Sequence, residues 1–244
     1  MMRIVSYNIQ FGGMGRQNPI AQVLRSIEPD VVVLQEANNP WVVEQVAEAA
    51  KMPYWYARRG YSLALISRLP VTECGWVRPR RMRHAFLRAI VGDLPIFGVH
   101  LQPYFSRWSE RQRVREVTSL LQIAEPYREK PHVLLGDFNA ISPSDVVEIR
   151  HMPRWLRLMI RSGAGKIATD AIRTVMNNDY LDSYRTLHPD IPGPTVPAWS
   201  PHIRLDYVFL TSRFRECLAE STVVADSAVM LASDHRPLLT VLNT

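Results

Sequence analysis

The chain has 244 residues, of which 47% are hydrophobic and 21% charged, so it can bury a substantial core. No apolar run reaches the length of a membrane-spanning helix, because charges interrupt every hydrophobic stretch. The opening segment MMRIVSYNIQF enters a strand-like pattern at once, so we expect no signal peptide and a cytoplasmic location. Cys74 and Cys217 have the spacing of neither a disulfide framework nor a metal site.

Most of the basic charge comes from arginine. The net charge is +6 with a pI near 9.6, and only Lys51, Lys130 and Lys166 among the 29 basic residues are lysines. Arginine suits bidentate contacts to phosphate, which favours a polyanionic partner. A compositional bias towards arginine explains the excess equally well, so the charge supports a phosphate substrate without establishing one.

The N-terminal part of the chain predicts alternating helices and strands. A helix is indicated by NPIAQVLRSI, with Asn18 as cap and Pro19 in the first turn, and a second by NPWVVEQVAEAA, where Asn39 and Pro40 repeat the signal. Both segments place apolar residues at helical spacing. Between them, PDVVVLQE is a continuous apolar run, typical of a strand covered on both faces.

The middle of the chain predicts short antiparallel strands, YSLALIS, HAFLRAIV and LPIFGVHL, separated by Pro, Gly and Arg clusters. A helix is expected next, with apolar residues on one face and arginines along another: Val114, Val117, Leu121 and Ala124, and Arg107, Arg111 and Arg115. The strand HVLLGD, a less regular region over 142–197 and the strand-like segments RLDYVFL, STVVA and PLLTVL complete the chain. No repeat or Gly/Ser linker divides it, so we expect one domain over residues 1–244, with two mixed sheets and covering helices.

Residues 154–161, RWLRLMIR, predict an amphipathic helix with a basic stripe. The favoured interpretation is a helix on the core with a solvated basic face. A contact to a phosphate backbone and a membrane-surface element are the alternatives.

Polar side chains recur at or near the ends of the predicted strands. They are Asn8, Glu36, His100, Asp137 and Asn139, followed in the C-terminal part by Asp206, Asp234 and His235. Strand ends at the rim of a sheet are where α/β folds build their sites. We therefore expect these side chains to converge.

Carboxylates gathered at one rim without a cation would repel each other and raise their own pKa values. A hard divalent ion removes that penalty, and Mg²⁺ accepts one or two carboxylates, several waters and substrate phosphate oxygens. Nearby histidines suit proton transfer at near-neutral pH. The set predicts metal-assisted hydrolysis of a phosphate ester, with Mg²⁺ as the expected ion and Mn²⁺ as an alternative.

The segments SYNI, LQE, VHL, LLGDFN, RLDYVF and SDHRP occur in this order along essentially the whole chain. This ordered set resembles the successive signatures of the endonuclease/exonuclease/phosphatase superfamily, and GDFN and SDH are its most specific elements. The resemblance implies the deoxyribonuclease-I-like fold, an α/β (α+β) four-layer sandwich of two mixed β-sheets flanked by helices. The site would lie at the rim where the two sheets meet.

The resemblance also implies a role for each position. Glu36 would be the principal Mg²⁺ ligand, supported by Asn8, with Asp234 on the metal side. Asp137 would orient or deprotonate the attacking water, and Asn139 would position that water or the phosphate. His235, held by Asp206, would bind the scissile phosphate and assist proton transfer, while His100 would contact phosphate.

Other candidates near the motifs are open to two interpretations each. Trp199 is expected either to line the substrate cleft by stacking or to pack in the interior. Arg204 is expected either to reach phosphate or to be solvated. Asp182 and Arg185 are expected to form an internal ion pair.

Superfamily members act on DNA, RNA tails, inositol phosphates and sphingomyelin, so the core site leaves the substrate open. The arginine-rich segments RPRRMRHAFLR and SRWSERQRVR contain aromatic residues, a pattern that suits nucleic acid. We therefore expect a Mg²⁺-dependent phosphodiester hydrolase, an endonuclease or exonuclease acting on DNA. The alternatives are a phosphodiesterase or phosphatase for phospholipid headgroups, inositol phosphates or other small esters, and a non-catalytic phosphate-binding module.

Overall fold

The computed structural model describes residues 1–80, 82–147, 157 and 167–243. Its strands are β1 (Met2–Asn8), β2 (Val31–Gln35), β3 (Tyr54–Tyr56), β4 (Leu63–Ser67), β5 (Val71–Val77), β6 (Phe86–Val91), β7 (Leu94–His100), β8 (Val133–Asp137), β9 (Tyr180–Asp182), β10 (Asp206–Thr211), β11 (Leu218–Val223) and β12 (Leu238–Leu242). Its helices are α1 (Gln17–Ile27), α2 (Pro40–Ala49), α3 (Arg107–Ala124), α4 (Asp170–Met176), α5 (Ser183–Leu187) and α6 (Val229–Ala232). The amphipathic helix expected over 154–161 lies, apart from Arg157, outside the described residues.

The strands form two six-stranded mixed sheets. The first has the order β11-β12-β1-β2-β4-β3 and the second the order β5-β6-β7-β8-β10-β9. Each contains one parallel pair near its centre, β1 with β2 and β7 with β8, and the other neighbours are antiparallel. The carboxyl ends of the two parallel pairs therefore supply the segments that build the site.

Successive side chains of each central strand point to opposite faces of the sheet, and both faces are buried. Ile4, Val31 and Val33 of the first sheet pack against Ile96 and Leu135 of the second, and form the core between the sheets. The intervening positions on each strand point outwards towards helices. This explains why the central strands are apolar at nearly every position instead of alternating with polar residues.

The outer faces of the sheets are covered by helices. On the first sheet, Ile20 and Leu24 of α1 and Val43 of α2 pack against Val32 and other β1 and β2 side chains. On the second sheet, α3 and α4 pack on the outward faces of β7, β8 and β10. The order helix, sheet, sheet, helix confirms the predicted four-layer α/β sandwich. No helix in the described ranges is long and apolar enough to cross a bilayer.

The two predicted helix starts differ in the structure. The Asn39 side chain caps α2 by accepting a hydrogen bond from the Trp41 N–H, as expected. Asn18, in contrast, is the second residue of α1, and Arg16 stands at the cap position without a side-chain cap bond. The expectation that Asn18 caps α1 was wrong because the guanidinium of Arg16 donates to the carbonyls of Gln10 and Ala232, which ties the start of α1 to the preceding turn.

Gly136 makes the close contact between β7 and β8 possible. It pairs with Val99 in the parallel register and has φ of +145°. A Cβ built there would lie 2.0 Å from the Val99 carbonyl oxygen, a distance that no side chain can occupy. The residue that follows is Asp137, so this glycine fixes the position of a predicted catalytic side chain.

Arg204 lies in a buried ion-pair network, which corrects both interpretations made from the sequence. Its side chain is 2% exposed and donates two hydrogen bonds to Asp145, at 2.9 and 3.1 Å, and one of 2.8 Å to Asp182. Arg185 also pairs with Asp145, at 2.8 Å. The expected ion pair between Asp182 and Arg185 does not form, because the Arg185 guanidinium pairs with Asp145 and Asp182 pairs with Arg204. Asp145 and Asp182 both accept hydrogen bonds from the Arg204 guanidinium, so the guanidinium is neither solvated nor free to bind phosphate.

We predict that Gly136→Ala lowers the free energy of unfolding by about 1–3 kcal/mol, because β8 must move away from β7 to accommodate the methyl group. Urea denaturation measures the change. Gly75→Ala is the matched control, since Gly75 also lies in a strand and a Cβ added there would have no other atom within 4 Å. Equal stability of Gly136→Ala and wild type would contradict the close approach of the two strands.

We predict that Arg204→Met lowers the free energy of unfolding by about 3–5 kcal/mol, because it leaves two buried carboxylates without their main counter-charge. Arg88→Met is the control: Arg88 pairs with Glu73 at 3.4 Å in an exposed contact, which should contribute less than about 1 kcal/mol. Thermal or urea unfolding of the two variants distinguishes a buried network from a surface pair. Similar decreases in the free energy of unfolding of the two variants would contradict the buried network around Arg204.

Candidate active site

The polar residues predicted at strand ends meet at one rim of the sandwich. Asn8 ends β1 and Glu36 directly follows β2, the parallel pair of the first sheet, while His100 and Asp137 end the parallel pair of the second. Asp206 begins β10 directly opposite Asp137 in the antiparallel register. The structure therefore brings together side chains that are up to about 200 positions apart in the sequence.

The Asp137 carboxylate lies at the centre of this cluster and is 2% exposed. Its Oδ1 accepts a hydrogen bond from the Asn139 N–H at 2.8 Å. Its Oδ2 accepts from the Asn8 amide at 3.0 Å and from the Asn139 amide at 3.2 Å. The Asn139 amide also donates to the Leu101 carbonyl at 3.1 Å. These bonds compensate part of the desolvation of the carboxylate and fix its orientation.

Asp206 and His235 form a buried carboxylate–imidazole pair. The His235 Nδ1 lies 2.9 Å from Asp206 Oδ2, and Asp206 is fully buried. Because the carboxylate can only accept, Nδ1 carries a proton and Nε2 faces Asp137 Oδ2 at 3.9 Å. The main-chain N–H of His235 also donates to the Ser233 hydroxyl, whose own proton goes to the Asn8 carbonyl at 2.7 Å.

A turn of left-handed residues after β1 holds Glu36. Gln10 and Phe11 have φ of 51° and 48°, and Glu36 itself has φ of 58°. The Phe11 N–H donates to Glu36 Oε2, and the Asn8 amide donates to Glu36 Oε1 at 3.3 Å. Such backbone conformations are costly outside glycine and concentrate at functional sites.

The orientation of Asn8 differs from the ligand role that the resemblance implies. Its amide oxygen accepts from the Gln10 N–H at 2.9 Å, so its NH₂ group faces Glu36 and Asp137. In this arrangement Asn8 holds the two carboxylates in place as a hydrogen-bond donor. Its oxygen accepts a hydrogen bond from the main chain of the turn.

His100 lies on the other side of Asp137 from His235. Its Nε2 is 3.8 Å from Asp137 Oδ2, and its Nδ1 is buried without a hydrogen-bond partner among the described residues. The two imidazoles therefore flank one carboxylate oxygen at nearly the same distance. This places His100 within reach of any phosphoryl group that approaches Asp137.

The two imidazoles have opposite pKa shifts. Burial by itself lowers the pKa of His235, but the carboxylates of Asp206, Asp137 and Asp234 outweigh it and raise the pKa to about 10. For His100, burial is the larger effect and lowers the pKa, against the attraction of Asp137 and Glu36. Without a bound cation, His235 is therefore a cation and His100 neutral at neutral pH.

The Asp137 carboxyl has a raised pKa, chiefly because burial disfavours its ionised form, with Asp206 adding repulsion. His235 and His100 act in the opposite direction. A carboxylate with a raised pKa is a better proton acceptor than an exposed one, so the environment of Asp137 suits a general base.

The donor set at the rim fits Mg²⁺ if water molecules and substrate phosphate oxygens complete the coordination shell of the ion. Over the described ranges, no group of three or more His, Cys, Asp and Glu side chains could hold a metal ion. Mg²⁺ does not require such a cage, because it keeps several waters and uses one or two carboxylates together with substrate phosphates. Glu36 is the carboxylate positioned by the turn after β1, and Asp234 stands beside His235 with its main chain bonded to Ala198.

Exposed aromatic rings adjoin the site on two sides. Phe11, whose N–H contacts Glu36, is 81% exposed, and Trp199, next to the residue bonded to Asp234, is 64% exposed. Trp199 is therefore not packed in the interior. Phe11 was not recognised from the sequence, although the glycine pair in NIQFGGMG, which marks a tight turn, is a signal that could have identified its segment.

Solved structures of several proteins share this architecture. An AP endonuclease from Archaeoglobus fulgidus has a TM-score of 0.78 at 16% identity, and the 3′ phosphatase NExo from Neisseria, bound to product DNA hairpin, has a TM-score of 0.74 at 19% identity; both cover 100% of each chain. A humanized D. rerio TDP2 has a TM-score of 0.70 at 17% identity, over 100% of this chain and 99% of its own. Identities this low establish the fold alone. No curated protein matches the chain significantly in sequence.

The sequence itself matches a family model over residues 5–235, a range that includes every polar residue described at the rim. This match is independent of the superpositions and covers far more than half of the chain. Its agreement with the fold and with the convergence of the six motifs leads to one conclusion. The chain belongs to the Endonuclease/Exonuclease/phosphatase family, whose members are hydrolases acting on phosphoester bonds.

Proposed function

We propose that the chain is a divalent-cation-dependent phosphodiester hydrolase that acts on DNA. The observation that carries the proposal is the Asp137 carboxylate, which is buried, oriented by two asparagines and flanked by the Nε2 atoms of His100 and His235 at 3.8 and 3.9 Å. A base, a cationic imidazole and a neutral imidazole around one point suit the transfer of a phosphoryl group to water.

In this mechanism Asp137 orients the attacking water and accepts its proton at Oδ2. Burial strengthens the carboxylate as a base, and the Asn139 and Asn8 amides prevent it from rotating away. Asn139, with φ of 49°, is held by Asp137 and by the Leu101 carbonyl, and its amide can position the water or a phosphate oxygen. Fixing these groups in advance removes the cost of arranging them during the reaction.

His235 is the residue placed to stabilise negative charge on the phosphoryl oxygens. Its Nδ1–H is held by Asp206, so its Nε2–H is directed into the site and can bind the scissile phosphate or give a proton to the departing oxygen. His100, neutral at neutral pH, can donate a hydrogen bond to the same phosphate. When bound, a divalent cation would supply Lewis-acid stabilisation of the phosphoryl charge, and Glu36 with Asp234 would hold it.

Several features support DNA as the substrate. The exposed rings of Phe11 and Trp199 adjoin the site and can stack on bases. The chain carries a net charge of +6, which favours a polyanion. Similar structures are those of an AP endonuclease and of a 3′ phosphatase bound to a DNA hairpin. An enzyme for lipid headgroups would be expected to need residues 154–161 for vesicle binding, and the structure describes only Arg157 of this segment.

A substrate panel tests the proposal. With Mg²⁺, we predict cleavage of at least one of single-stranded, duplex or abasic-site DNA, loss of activity with EDTA, and recovery when Mg²⁺ or Mn²⁺ is restored. Asp137→Asn should lower kcat by about 10²- to 10⁴-fold, because it removes the proton acceptor. Gel-based cleavage assays and phosphate release measure both effects.

The matched control for this substitution is Asp93→Asn, because Asp93 is exposed in the turn at the opposite end of β7 from His100. It should retain wild-type activity. Hydrolysis of a phospholipid headgroup or inositol phosphate without any cleavage of DNA would replace the proposed substrate. Equal turnover of a generic phosphodiester by wild type and Asp137→Asn would refute the catalytic role.

The raised pKa of His235 also predicts a pH dependence of stability in EDTA. Because the folded state binds the His235 proton more tightly than the unfolded state, whose pKa is near 6.5, this stabilisation is complete below pH 6.5 and is lost as pH rises towards 10. The contribution is at most a few kcal/mol. Asp206→Asn removes the main stabilising charge, so its free energy of unfolding should fall less steeply between pH 6.5 and 9.5. Parallel slopes for the two proteins in urea titrations would contradict the pairing.

A further inference from the structure

A second carboxylate–imidazole pair lies beside the site. The His84 Nδ1 is 2.8 Å from Oε1 of Glu116, a residue of α3 that is 3% exposed. The other oxygen of Glu116 accepts the Gln102 N–H at 2.9 Å. Glu116 therefore holds both the imidazole of His84 and the main chain of the segment that follows His100.

His84 is adjacent to the group of residues around Asp137. Its ring lies against that of His100, with the centroids 6.2 Å apart and the planes inclined by 22°. The His100 Nε2 in turn is 3.8 Å from Asp137 Oδ2. His84 is thus connected to Asp137 through the ring of His100.

The hydrogen-bonding state of His84 follows from its partner. The Glu116 carboxylate accepts two hydrogen bonds, so the His84 Nδ1 carries a proton, and the imidazolium form, with a second proton on Nε2, is the one that can donate to an anionic ligand. Within the described residues this Nε2 has no partner and is not among the buried unpaired polar atoms. The side chain is 19% exposed, whereas that of Glu116 is 4% exposed. One edge of the imidazole is anchored in the protein and the other is open to a ligand.

The surroundings of His84 favour an anionic ligand. His84 lies in the connection between β5 and β6, whose sequence from Arg78 to Ala85, RPRRMRHA, contains four arginines and no acidic residue. Among the described residues, the acidic side chain bonded to His84 is that of Glu116, which is buried and already accepts a second hydrogen bond. A phosphate can approach the free edge without meeting an uncompensated negative charge.

We propose that His84 is a substrate-binding residue for a phosphate that neighbours the reacting one, on the His100 side of the site, and that Glu116 is its positioning residue. The inference deepens the proposed function and rests on it, because a DNA strand presents a second phosphate next to the reacting one. His100 serves the reacting phosphate, and His84 serves the next one along the strand.

Paired substrates of different length test this inference. The short substrate is thymidine 5′-(p-nitrophenyl phosphate), which has one phosphate, and the longer ones are oligonucleotides that add a phosphate on the 5′ or the 3′ side of the cleaved bond. For one of the two longer series, we predict that His84→Ala raises KM about tenfold or more with kcat changed less than twofold. The short substrate should show no change in KM. His84→Gln, which retains an amide NH₂ near the position of Nε2, should recover part of the loss.

His188→Gln is the control, because His188 is a partly exposed histidine bonded to the Ser221 carbonyl in another part of the chain. Urea denaturation verifies that the His84 variants fold. An equal loss with short and long substrates, a fall in kcat alone, or unchanged kinetics with all substrates would each overturn the role of His84.

If wild type cleaves none of these substrates, the proposed function fails, and the role of His84 is decided by binding alone. Fluorescence anisotropy of a labelled DNA strand in EDTA then compares wild type with His84→Ala. Weaker binding by the variant, with no change for a strand that carries neutral methylphosphonate linkages, would support the phosphate contact. Equal affinities would overturn it.

Discussion

The hydrogen bonds that cross between the two sheets are the constraint on which the site depends. The Asn8 amide of the first sheet donates to Asp137 of the second, and His235, on the segment leading into the first sheet, pairs with Asp206 of the second. Neither half of the sandwich contains a complete site. The geometry of the rim cluster therefore exists only when the apolar faces of the two sheets are packed together, because that packing sets the distance over which these bonds can form.

Burial gives these groups their chemistry as well as their position. Asp137 and Asp206 are each almost completely removed from water. Burial lowers the pKa of His100, whereas the neighbouring carboxylates outweigh burial at His235 and raise its pKa. At the surface the same residues would titrate near their ordinary values and screening would weaken their interactions. The left-handed conformations of Glu36 and Asn139 are a further cost of this arrangement, and the surrounding hydrogen bonds maintain them.

The sequence was sufficient to predict the architecture and the convergence of the rim residues, because apolar periodicity and strand-end positions depend on local patterns. It was insufficient where a side chain has several possible partners. Arg204 was expected at the surface or on a phosphate, but Asp145 and Asp182, which are distant from each other in the sequence, both pair with it. The orientation of the Asn8 amide and the pairing of His84 with Glu116 likewise depend on contacts that no spacing encodes. The catalytic assignments, the 1–244 domain boundary and the cytoplasmic location stay predictions.

The division of the site between two sheets has a consequence for the behaviour of the whole molecule. A ligand that occupies the rim contacts both sheets at once, so its binding increases the free energy of unfolding of the whole domain. Thermal denaturation should therefore report occupancy even for compounds that are never turned over. The melting temperature becomes a means of finding ligands for this fold that does not depend on any assay of turnover.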